Sequence, residues 1–490
     1  MTKYLALLIF LTSYSAIGQP VAVIPVEERI DQLKIFLQDL EKNKSFSGSM
    51  LVLKNDKELL KESYGWADQA HKIKMTNATL ISIGSITKSF TAVGILKLVE
   101  LQKLSLKDNL LTFFKDVPPD KAHITVHQLL AHSSGIIEFT EGDGGDYEKI
   151  ETEAFLKKVF RQPLAFEPGT KGVYSNVNYS LLGIIIEQVS GMSYEQYLKQ
   201  FILQPVGIKQ IGYQYPSDQN VTVAKGYQHG ALWGTHQSHY QEAGGGPYWN
   251  LKANGGLEAS IQEISIWIQA LQHFKVLNKS LTELMFTGQM AEDATNGYYS
   301  FGYGCNISKT SRGTIMIDQG GSNGIYFARF IQLPEEGLVV AMITSESSMS
   351  TNQVLPLAMQ LLIKGKMENP PQSQAFEHPQ AEKIYHILVD QGSGQFEANL
   401  KSSGLIVEDD MILLSVGERL RDEGKVKEGI ALYEFYVKAF PQIVVARNDL
   451  GDFYLKVSQR EKAIQCYQEA LRLRPGNQRA KMALANLGIH

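Results

Sequence analysis

The spacing of apolar residues predicts a helix and a β-hairpin near the start of the folded chain. Residues 27–43 place isoleucine, leucine and phenylalanine on one helical face. Residues 48–53 and 58–64 are two strand-like runs on either side of an Asn-Asp pair, which is typical of a hairpin turn. We therefore expect the folded part to begin with one helix and two paired strands.

A second helix is predicted where residues 85–100 run almost without charge. Lys88, Lys97 and Glu100 are the only charged residues in this segment. A helix that is apolar on most of its faces is usually buried rather than solvated. We expect this helix to lie inside the protein, with Ser85 at its amino-terminal end.

Later segments extend the pattern to an α+β fold. Helical spacing continues through 105–231 and 261–274, and four strand-like runs follow at 299–307, 314–317, 325–332 and 338–344. A Pro-Glu-Glu-Gly turn joins the last two runs, so this pair at least is predicted to be antiparallel. Together these elements predict one antiparallel sheet flanked by helices, with a helical subdomain.

The composition shifts after this block, and a helical repeat follows. Residues 366–380 are rich in proline and glutamine and are predicted to form a linker. Within 381–490, glycine, tyrosine and proline recur with a period of 34 residues, as at Gly417 and Gly451. This all-α pattern resembles the tetratricopeptide repeat. Such a tail either binds a protein or peptide partner or stabilises the preceding domain, and the sequence leaves both open.

Composition and the first residues narrow the class of protein. A formal net charge of −4 with 44% hydrophobic residues describes a soluble globular protein without the basic footprint of nucleic-acid binding. Residues 1–18 combine an early lysine, a short apolar run and small residues, which predicts a secretory signal. The run is too short to span a membrane. We expect an exported protein, periplasmic or secreted, without stable membrane insertion.

Ser85 and Lys88 are the first residues with candidate chemistry. Residues three apart share a helical face, so the lysine amine is expected beside the serine hydroxyl. An apolar surround and the helix amino terminus both disfavour the ammonium form, which would make Lys88 a usable base. A plain helix cap with a solvated lysine would give the same tetrad, so its meaning depends on later segments.

Two later segments offer the groups that an activated serine needs. Tyr174 is a poor base unless a cation lowers its pKa, and Asn176 has both a donor and an acceptor for Lys88 or a substrate amide. Residues 318–324 place glycines beside a predicted strand, where a substrate could lie against the backbone. The N–H of Ser322 would then complete an oxyanion hole with the N–H of Ser85.

These motifs, in this order, resemble the serine β-lactamase and penicillin-binding-protein superfamily. The resemblance rests on Ser-x-x-Lys at 85–88, Tyr-Ser-Asn at 174–176 and a Gln-Gly-Gly triplet at 319–321, supported by LLAHSSG at 129–135. Tyrosine in the second motif is similar to the branch that contains class C β-lactamases, D-alanyl-D-alanine carboxypeptidases and related esterases. The resemblance covers 28–365 and leaves the repeat tail outside it.

The resemblance implies a role for each matching residue. Ser85 would be the acylated nucleophile, and Lys88 and Tyr174 would handle its proton, in an order that the sequence does not decide. Asn176 would bind a substrate amide. The triplet would contribute Gln319 and Gly321, together with Ser322, to substrate binding. The resemblance thus implies three catalytic residues, Ser85, Lys88 and Tyr174, and a substrate-binding role for the others.

One residue departs from the superfamily pattern. The third motif begins with lysine in class C β-lactamases and commonly with histidine in the peptidases and esterases, but here it begins with Gln319. Glutamine offers no charge to a substrate carboxylate and none to lower the pKa of Tyr174. Lys309, Arg312 and Arg329 lie nearby in sequence and are interpreted as solvated charges at strand ends.

Histidines and cysteines do not predict a cofactor. Neither the group at 123–132 nor the pair His236 and His239 has the His-Glu-x-x-His pattern, so we predict no metal and no cofactor. His132 is expected to fix a helix end and a loop by hydrogen bonds. Cys305 and Cys466 are too few for a disulfide framework and are expected to be unpaired.

The sequence therefore predicts an exported serine hydrolase that forms an acyl-enzyme at Ser85. Its substrate would be an ester or a D-amino-acid-containing peptide. A β-lactamase or D,D-carboxypeptidase that binds penicillin is a second hypothesis. The third is a catalytically degenerate ligand-binding scaffold that acts through its repeat tail, and Gln319 is the main support for that hypothesis.

Overall fold

A computed structural model describes most of the chain. It covers residues 26–42, 46–139, 145–213, 221–228, 231–293, 298–346, 349–367, 379–407, 410–474 and 477–489. The predicted signal at 1–18 and most of the predicted linker lie outside the described residues. No helix in these ranges is long and apolar enough to cross a membrane.

The strands are short except for those that build the main sheet. In chain order they are β1 (Gly48–Lys54), β2 (Lys57–Tyr64), β3 (Trp66–Asp68), β4 (Ile73–Lys74), β5 (Ile81–Ser82), β6 (Gly226–Gln228), β7 (Ala231–Gly234), β8 (Glu258–Ala259), β9 (Met290–Ala291), β10 (Ser300–Phe301), β11 (Asn306–Lys309), β12 (Ile315–Ser322), β13 (Phe327–Leu333) and β14 (Leu338–Thr344). Within the described chain, eight of them form one sheet in the order β2-β1-β14-β13-β12-β11-β10-β9.

Helices surround this sheet and also build the tail. Those before the tail are α1 (Val26–Lys42), α2 (Thr87–Glu100), α3 (Leu110–Phe113), α4 (Val126–Leu130), α5 (Thr152–Arg161), α6 (Asn176–Ser190), α7 (Tyr194–Leu198), α8 (His236–Glu242), α9 (Ile261–Gln272), α10 (Lys279–Met285) and α11 (Met349–Lys364). Those of the tail are α12 (Pro379–Asp390), α13 (Phe396–Ser402), α14 (Asp410–Asp422), α15 (Val426–Ala439), α16 (Val444–Lys456), α17 (Arg460–Leu473) and α18 (Gln478–Asn486).

The antiparallel sheet with flanking helices confirms the predicted α+β fold. Helix α1 and the hairpin of β1 and β2 lie where the hydrophobic pattern placed them. The prediction of one strand over 299–307 was wrong, because a turn at 302–305 divides it into β10 and β11. Gly304 in this turn has a φ of +72°, which a strand residue does not adopt.

Strand β1 is buried on both faces, which explains its unbroken apolar sequence. Side chains alternate between the two faces of a strand. Met50 and Val52 pack with Leu33 of α1 and with α11, whereas Leu51 and Leu53 join the larger core on the opposite face. The sheet is therefore the middle layer of the domain.

The larger core contains the predicted buried helix. All residues of α2 from Thr87 to Leu96 are buried. Phe90 of α2 stacks on Trp267 of α9 with ring centroids 4.1 Å apart. This packing fixes the amino-terminal end of α2 against the sheet, and that end carries Ser85.

The tail has an apolar cluster of its own. Gly417 of α14 packs against Tyr433 of α15, and a β-carbon there would come within 2.3 Å of the tyrosine oxygen. Gly451 of α16 has the same relation to Tyr467 of α17, with a closest approach of 2.7 Å. Successive helices therefore cross at glycines that are one predicted repeat apart. The assignment to the tetratricopeptide class stays a prediction.

Candidate active site

A tight turn at Gly84–Ile86 presents Ser85 at the start of α2. Gly84 has a φ of +49°, and a β-carbon at this position would lie only 2.7 Å from the backbone nitrogen of Ser322. Glycine is therefore required for two reasons, backbone conformation and the close approach of β12. The turn therefore places the Ser85 hydroxyl next to strand β12.

Lys88 lies beneath Ser85 and is almost fully buried, with 2% of its surface exposed. Its Nζ lies 3.0 Å from Ser85 Oγ, 2.7 Å from Asn176 Oδ1 and 2.7 Å from the backbone oxygen of Asn254. Burial lowers the pKa of Lys88 well below its usual value, and the charges of Glu138 and Asp146 oppose this shift. The surroundings of the amine thus favour its neutral form.

The three contacts of Lys88 fit an ammonium, which would donate to all three oxygens, and they also fit a neutral amine. Such an amine has two N–H groups and one lone pair. Amide oxygens only accept hydrogen bonds, so the Asn176 and Asn254 oxygens take the two N–H groups. The lone pair is then left for the Ser85 hydroxyl, which can donate its proton to Lys88. The segment Asn254-Gly255-Gly256-Leu257 is a further match to the superfamily in the sequence, but the match did not assign the Asn254 carbonyl a contact with Lys88.

Tyr174 contacts the same serine. Its hydroxyl lies 2.7 Å from Ser85 Oγ. Burial raises the pKa of Tyr174 above its usual value, and the charges of Glu138 and Glu292 add to the rise, although the hydrogen bond with Ser85 opposes it. The phenol therefore keeps its proton and donates to the serine oxygen. A cation that lowers this pKa was the condition for a tyrosine base, and burial outweighs any such effect here.

Asn176 holds Lys88, which is one of the two roles expected for it. Its Oδ1 accepts from Lys88, and its Nδ2 lies 3.4 Å from Glu138 Oε1. This contact to a carboxylate identifies Nδ2 as the donor. Binding of a substrate amide by Asn176 stays a prediction.

His132 supports the second motif from behind. Its Nδ1 accepts a hydrogen bond from the backbone N–H of Ser175 at 3.0 Å, and its ring stacks on Tyr174 with centroids 4.7 Å apart. Burial and the charge of Lys88 lower the pKa of His132 well below its usual value. The expected hydrogen-bonding role of His132 is confirmed. No group of three or more possible metal ligands occurs among the described residues.

Strand β12 continues through the third motif, which was expected to lie between two strands. β12 pairs with β13 as far as Ser322 and Phe327. The N–H of Asn323 donates to the oxygen of Tyr326 at 3.4 Å, so alternation along the ladder directs the N–H of Ser322 away from β13. β11 pairs with β12 only as far as Asp318. The Ser322 N–H thus lies on the side of β12 that faces Ser85.

Gly321 is needed for contact with the catalytic turn. A β-carbon at Gly321 would lie 2.1 Å from the oxygen of Ile83 and 2.7 Å from the nitrogen of Ser85. Gly320, by contrast, has no atom within 4 Å of such a β-carbon and is exposed. Gly321 thus lies on the face of β12 that is directed to Ser85, and its contact with a substrate stays a prediction. Open space lies at Gly320, on the opposite face of the strand.

Gln319 is almost completely buried. It is 3% exposed, and its Nε2 lies 3.5 Å from the oxygen of Gly304. Residues two apart in a strand share a face, so Gln319 points to the same side of β12 as Gly321, which is the side directed to Ser85. Its contact with a substrate stays a prediction.

Arg329 is not a solvated strand-end charge. It lies directly across the ladder from Gly320, and its guanidinium forms two hydrogen bonds to Asp318, of 3.0 Å and 2.6 Å. These bonds raise the pKa of Arg329 above its usual value. The interpretation from sequence was wrong, because it lacked the register that sets Arg329 in the middle of β13.

The fold and the site together define a β-lactamase-like and penicillin-binding-protein-like serine hydrolase. The family model described as Beta-lactamase matches residues 34–362, and the chain belongs to that family. Members of this superfamily are serine hydrolases. The assignment to the class C branch is more specific than the family match and stays a prediction.

Individual relatives agree with the family. Protein flp of Staphylococcus aureus is 33% identical over 210 residues, which are 41% of this chain and 41% of that protein. The chain thus spans about two fifths of the length of this relative. A solved structure described as the octameric penicillin-binding protein homologue from Pyrococcus abyssi has a TM-score of 0.61 and 28% identity, covering 73% of this chain and 82% of that one.

A second solved structure shows the fold alone. The penicillin binding protein from Bacillus halodurans has a TM-score of 0.57 and 24% identity. The similarity covers 67% of this chain and 98% of that one.

Proposed function

We propose that the protein hydrolyses an ester or a D-amino-acid-containing peptide through an acyl-enzyme at Ser85. The position of Lys88 is the observation that carries this proposal. When the amine is neutral, the oxygens of Asn176 and Asn254 accept its two N–H groups, and its lone pair is left for the Ser85 hydroxyl. A neutral buried amine next to a serine is an activated nucleophile and base pair. A buried lysine with a lowered pKa reduces the stability of the folded protein at neutral pH, because the amine must lose its proton on folding. A scaffold without catalytic activity would gain nothing from this cost.

Each step of the reaction has a group in this chain. The Ser85 hydroxyl attacks the substrate carbonyl as its proton passes to Lys88. The N–H groups of Ser85 and Ser322 stabilise the oxyanion. Tyr174 keeps its proton beside Ser85 Oγ and can deliver it to the leaving group, after which Lys88 returns a proton to Tyr174. Water then attacks the acyl-enzyme by the reverse path.

The charges around the site favour neutral or cationic substrates. Glu138 and Asp146 act electrostatically on Lys88, and Glu292 acts on Tyr174. Arg329 is already paired with Asp318. A substrate carboxylate would therefore meet mostly like charge, which costs binding free energy.

A penicillin-binding activity is the second candidate. It is supported by the description of the similar structure from Pyrococcus abyssi as a penicillin-binding protein homologue. It predicts a stable adduct on Ser85 after incubation with penicillin, detected by intact-mass spectrometry. The burial of Gln319 and the pairing of Arg329 argue for weak recognition of the penicillin carboxylate.

Labelling with a fluorophosphonate probe tests the proposal. We expect the wild type and the Ser402→Ala variant, whose changed serine is exposed on the tail, to be labelled equally. Ser85→Ala should be unlabelled and should not turn over p-nitrophenyl esters, D-Ala-D-Ala peptides or a chromogenic cephalosporin. Undiminished turnover by Ser85→Ala would refute the proposed role of Ser85. A wild type that is neither labelled nor active would refute the proposal and favour the scaffold hypothesis. Export through residues 1–18 and partner binding by residues 381–490 remain separate proposals.

A further inference from the structure

His236 connects the two backbone segments that carry the proposed oxyanion donors. It is the first residue of α8 and is completely buried. Its Nε2 lies 2.9 Å from Ser82 Oγ and 3.0 Å from Asn323 Nδ2. Ser82 precedes Ser85 by three residues, and Asn323 directly follows Ser322. One imidazole nitrogen therefore contacts both sides of the site.

The hydrogen-bond pattern assigns the tautomer of this histidine. Asn323 Oδ1 accepts from the backbone N–H groups of Ile325 and Tyr326, at 3.1 Å and 2.8 Å. Nδ2 of Asn323 is therefore the donor toward His236, whose Nε2 must be unprotonated. The proton lies on Nδ1, which donates to the Tyr147 hydroxyl at 2.5 Å.

Aromatic rings enclose the imidazole and hold it neutral. Tyr240 and Tyr326 stack on it with centroids 5.9 Å and 5.8 Å away, and Trp233 meets it edge-on at 5.6 Å. Burial, with a smaller contribution from the charge of His239, lowers the pKa of His236 to about 3. The acceptor at Nε2 is therefore present at all ordinary pH values.

We propose that His236 is a positioning residue of the oxyanion hole, which fixes the separation of the Ser85 and Ser322 amides by holding Ser82 and Asn323 together. This inference rests on the proposed acyl-transfer function. Asn323 also closes the turn after β12, so a shift of its side chain moves the end of the strand that carries Ser322. Displacement of an aligned donor by about 1 Å can reduce turnover by about 100-fold.

Two substitutions separate this role from simple packing. The amide of His236→Gln reaches the place of Nε2, and its oxygen can accept from Asn323. His236→Asn is shorter, and its amide reaches only the place of Nδ1, where it can keep the Tyr147 contact. Both lose the ring. We expect kcat on a p-nitrophenyl ester to stay within about threefold of wild type for the first variant and to fall at least about tenfold for the second, with KM little changed.

A second pair of variants tests the Asn323 contact without changing the histidine. In Asn323→Ser the hydroxyl oxygen can still accept from the turn amides, but the side chain is too short to donate to Nε2. We expect a loss of kcat similar to that of His236→Asn. In the double variant with His236→Asn the contact is already absent, so the two losses should not add, and kcat should stay within about threefold of that of either single variant.

The possible results separate a failure of this inference from a failure of the proposed acyl-transfer function. Equal kcat in the Gln and Asn variants of His236, or fully additive losses in the double variant, would overturn the inference while the wild type remains active. If His236 variants do not fold, the result for Asn323→Ser decides alone, and wild-type kcat in it would be contradictory. An inactive wild type with unlabelled Ser85 would overturn the proposed function and the inference with it.

Discussion

Arg329 lies directly across the β12–β13 ladder from Gly320, and its guanidinium binds both carboxylate oxygens of Asp318 through Nε and Nη2. Antiparallel register places these three residues on one face of the sheet, which is the face covered by α1 and α11. Gly321 and Ser85 lie on the other side. A substrate that extends along the unpaired edge of β12 past Gly320 would meet this neutralised cation, and its charge preference there should depend on Asp318 as much as on Arg329.

Asp318→Asn should shift this preference toward anionic substrates. The amide still accepts one hydrogen bond from Arg329 but leaves its positive charge uncompensated. Because hydrogen bonds to charged groups are worth about 1.5–3 kcal/mol, we expect kcat/KM for a carboxylate-bearing ester to rise about tenfold relative to its neutral analogue. Asp39→Asn, an exposed change on α1, is the control. An unchanged ratio would mean that Arg329 does not reach the bound substrate.

Burial of Lys88 predicts a pH dependence of stability. Its pKa is well below the usual value in the folded state, so the unfolded chain binds more protons between the two pKa values. Stability should therefore rise with pH from the folded pKa of Lys88 to about 10.4, by up to about 1.4 kcal/mol per pH unit. Lys88→Met should remove this slope in urea titrations at several pH values.

Lys103→Met is the matched control for that experiment, because Lys103 is exposed just beyond the end of α2. Its curve should run parallel to that of the wild type. A slope that persists in Lys88→Met would show that another group titrates. For kcat/KM the same shift predicts activity that rises with pH through the folded pKa of Lys88 and is already at its plateau below pH 10.

The motifs identified the four side chains that meet at the site, but not the way they work. Ser85, Lys88, Tyr174 and Asn176 are brought within hydrogen-bond distance of one another as expected. The pKa shifts of the lysine and the tyrosine depend on burial, which local sequence does not reveal. Asn254 belongs to a segment that matches the superfamily, but its backbone oxygen was not assigned a role from the sequence.

The third motif shows why strand register matters for prediction. From sequence, Gln319 and Gly321 were assigned to the substrate, and their face of β12 is the one directed to the catalytic turn. Period-2 alternation separates them from Gly320, but it does not say which face is directed to Ser85. The place of Arg329 depends on pairing between strands. His236 had no motif to mark it.

Tyr174→Phe should distinguish leaving groups. The variant lacks the proton that the phenol donates toward Ser85 Oγ at 2.7 Å. General acid catalysis contributes about 100-fold or more to an alkoxide leaving group and much less to p-nitrophenolate, which needs no proton. We expect kcat for an alkyl ester to fall by about 100-fold and for the p-nitrophenyl ester by less than about tenfold. Equal losses for both esters would instead indicate a role in activating Ser85.

Two adjacent glycines provide a matched test of the contact between β12 and the catalytic turn. In Gly321→Ala the new β-carbon would lie 2.1 Å from the Ile83 oxygen, so the strand or the turn must move. Overpacking of this kind costs about 1–3 kcal/mol. In Gly320→Ala the β-carbon meets nothing within 4 Å, and the free energy of unfolding should match that of the wild type.

The Gly321→Ala substitution should also lower the activity, because the same contact positions the Ser322 N–H. Separation of β12 from the turn moves the Ser322 N–H away from the Ser85 N–H, so kcat on the p-nitrophenyl ester should fall by about 100-fold. Urea denaturation and steady-state kinetics of the same preparations measure both effects. Loss of stability without loss of kcat would separate the packing of Gly321 from the geometry of the oxyanion hole.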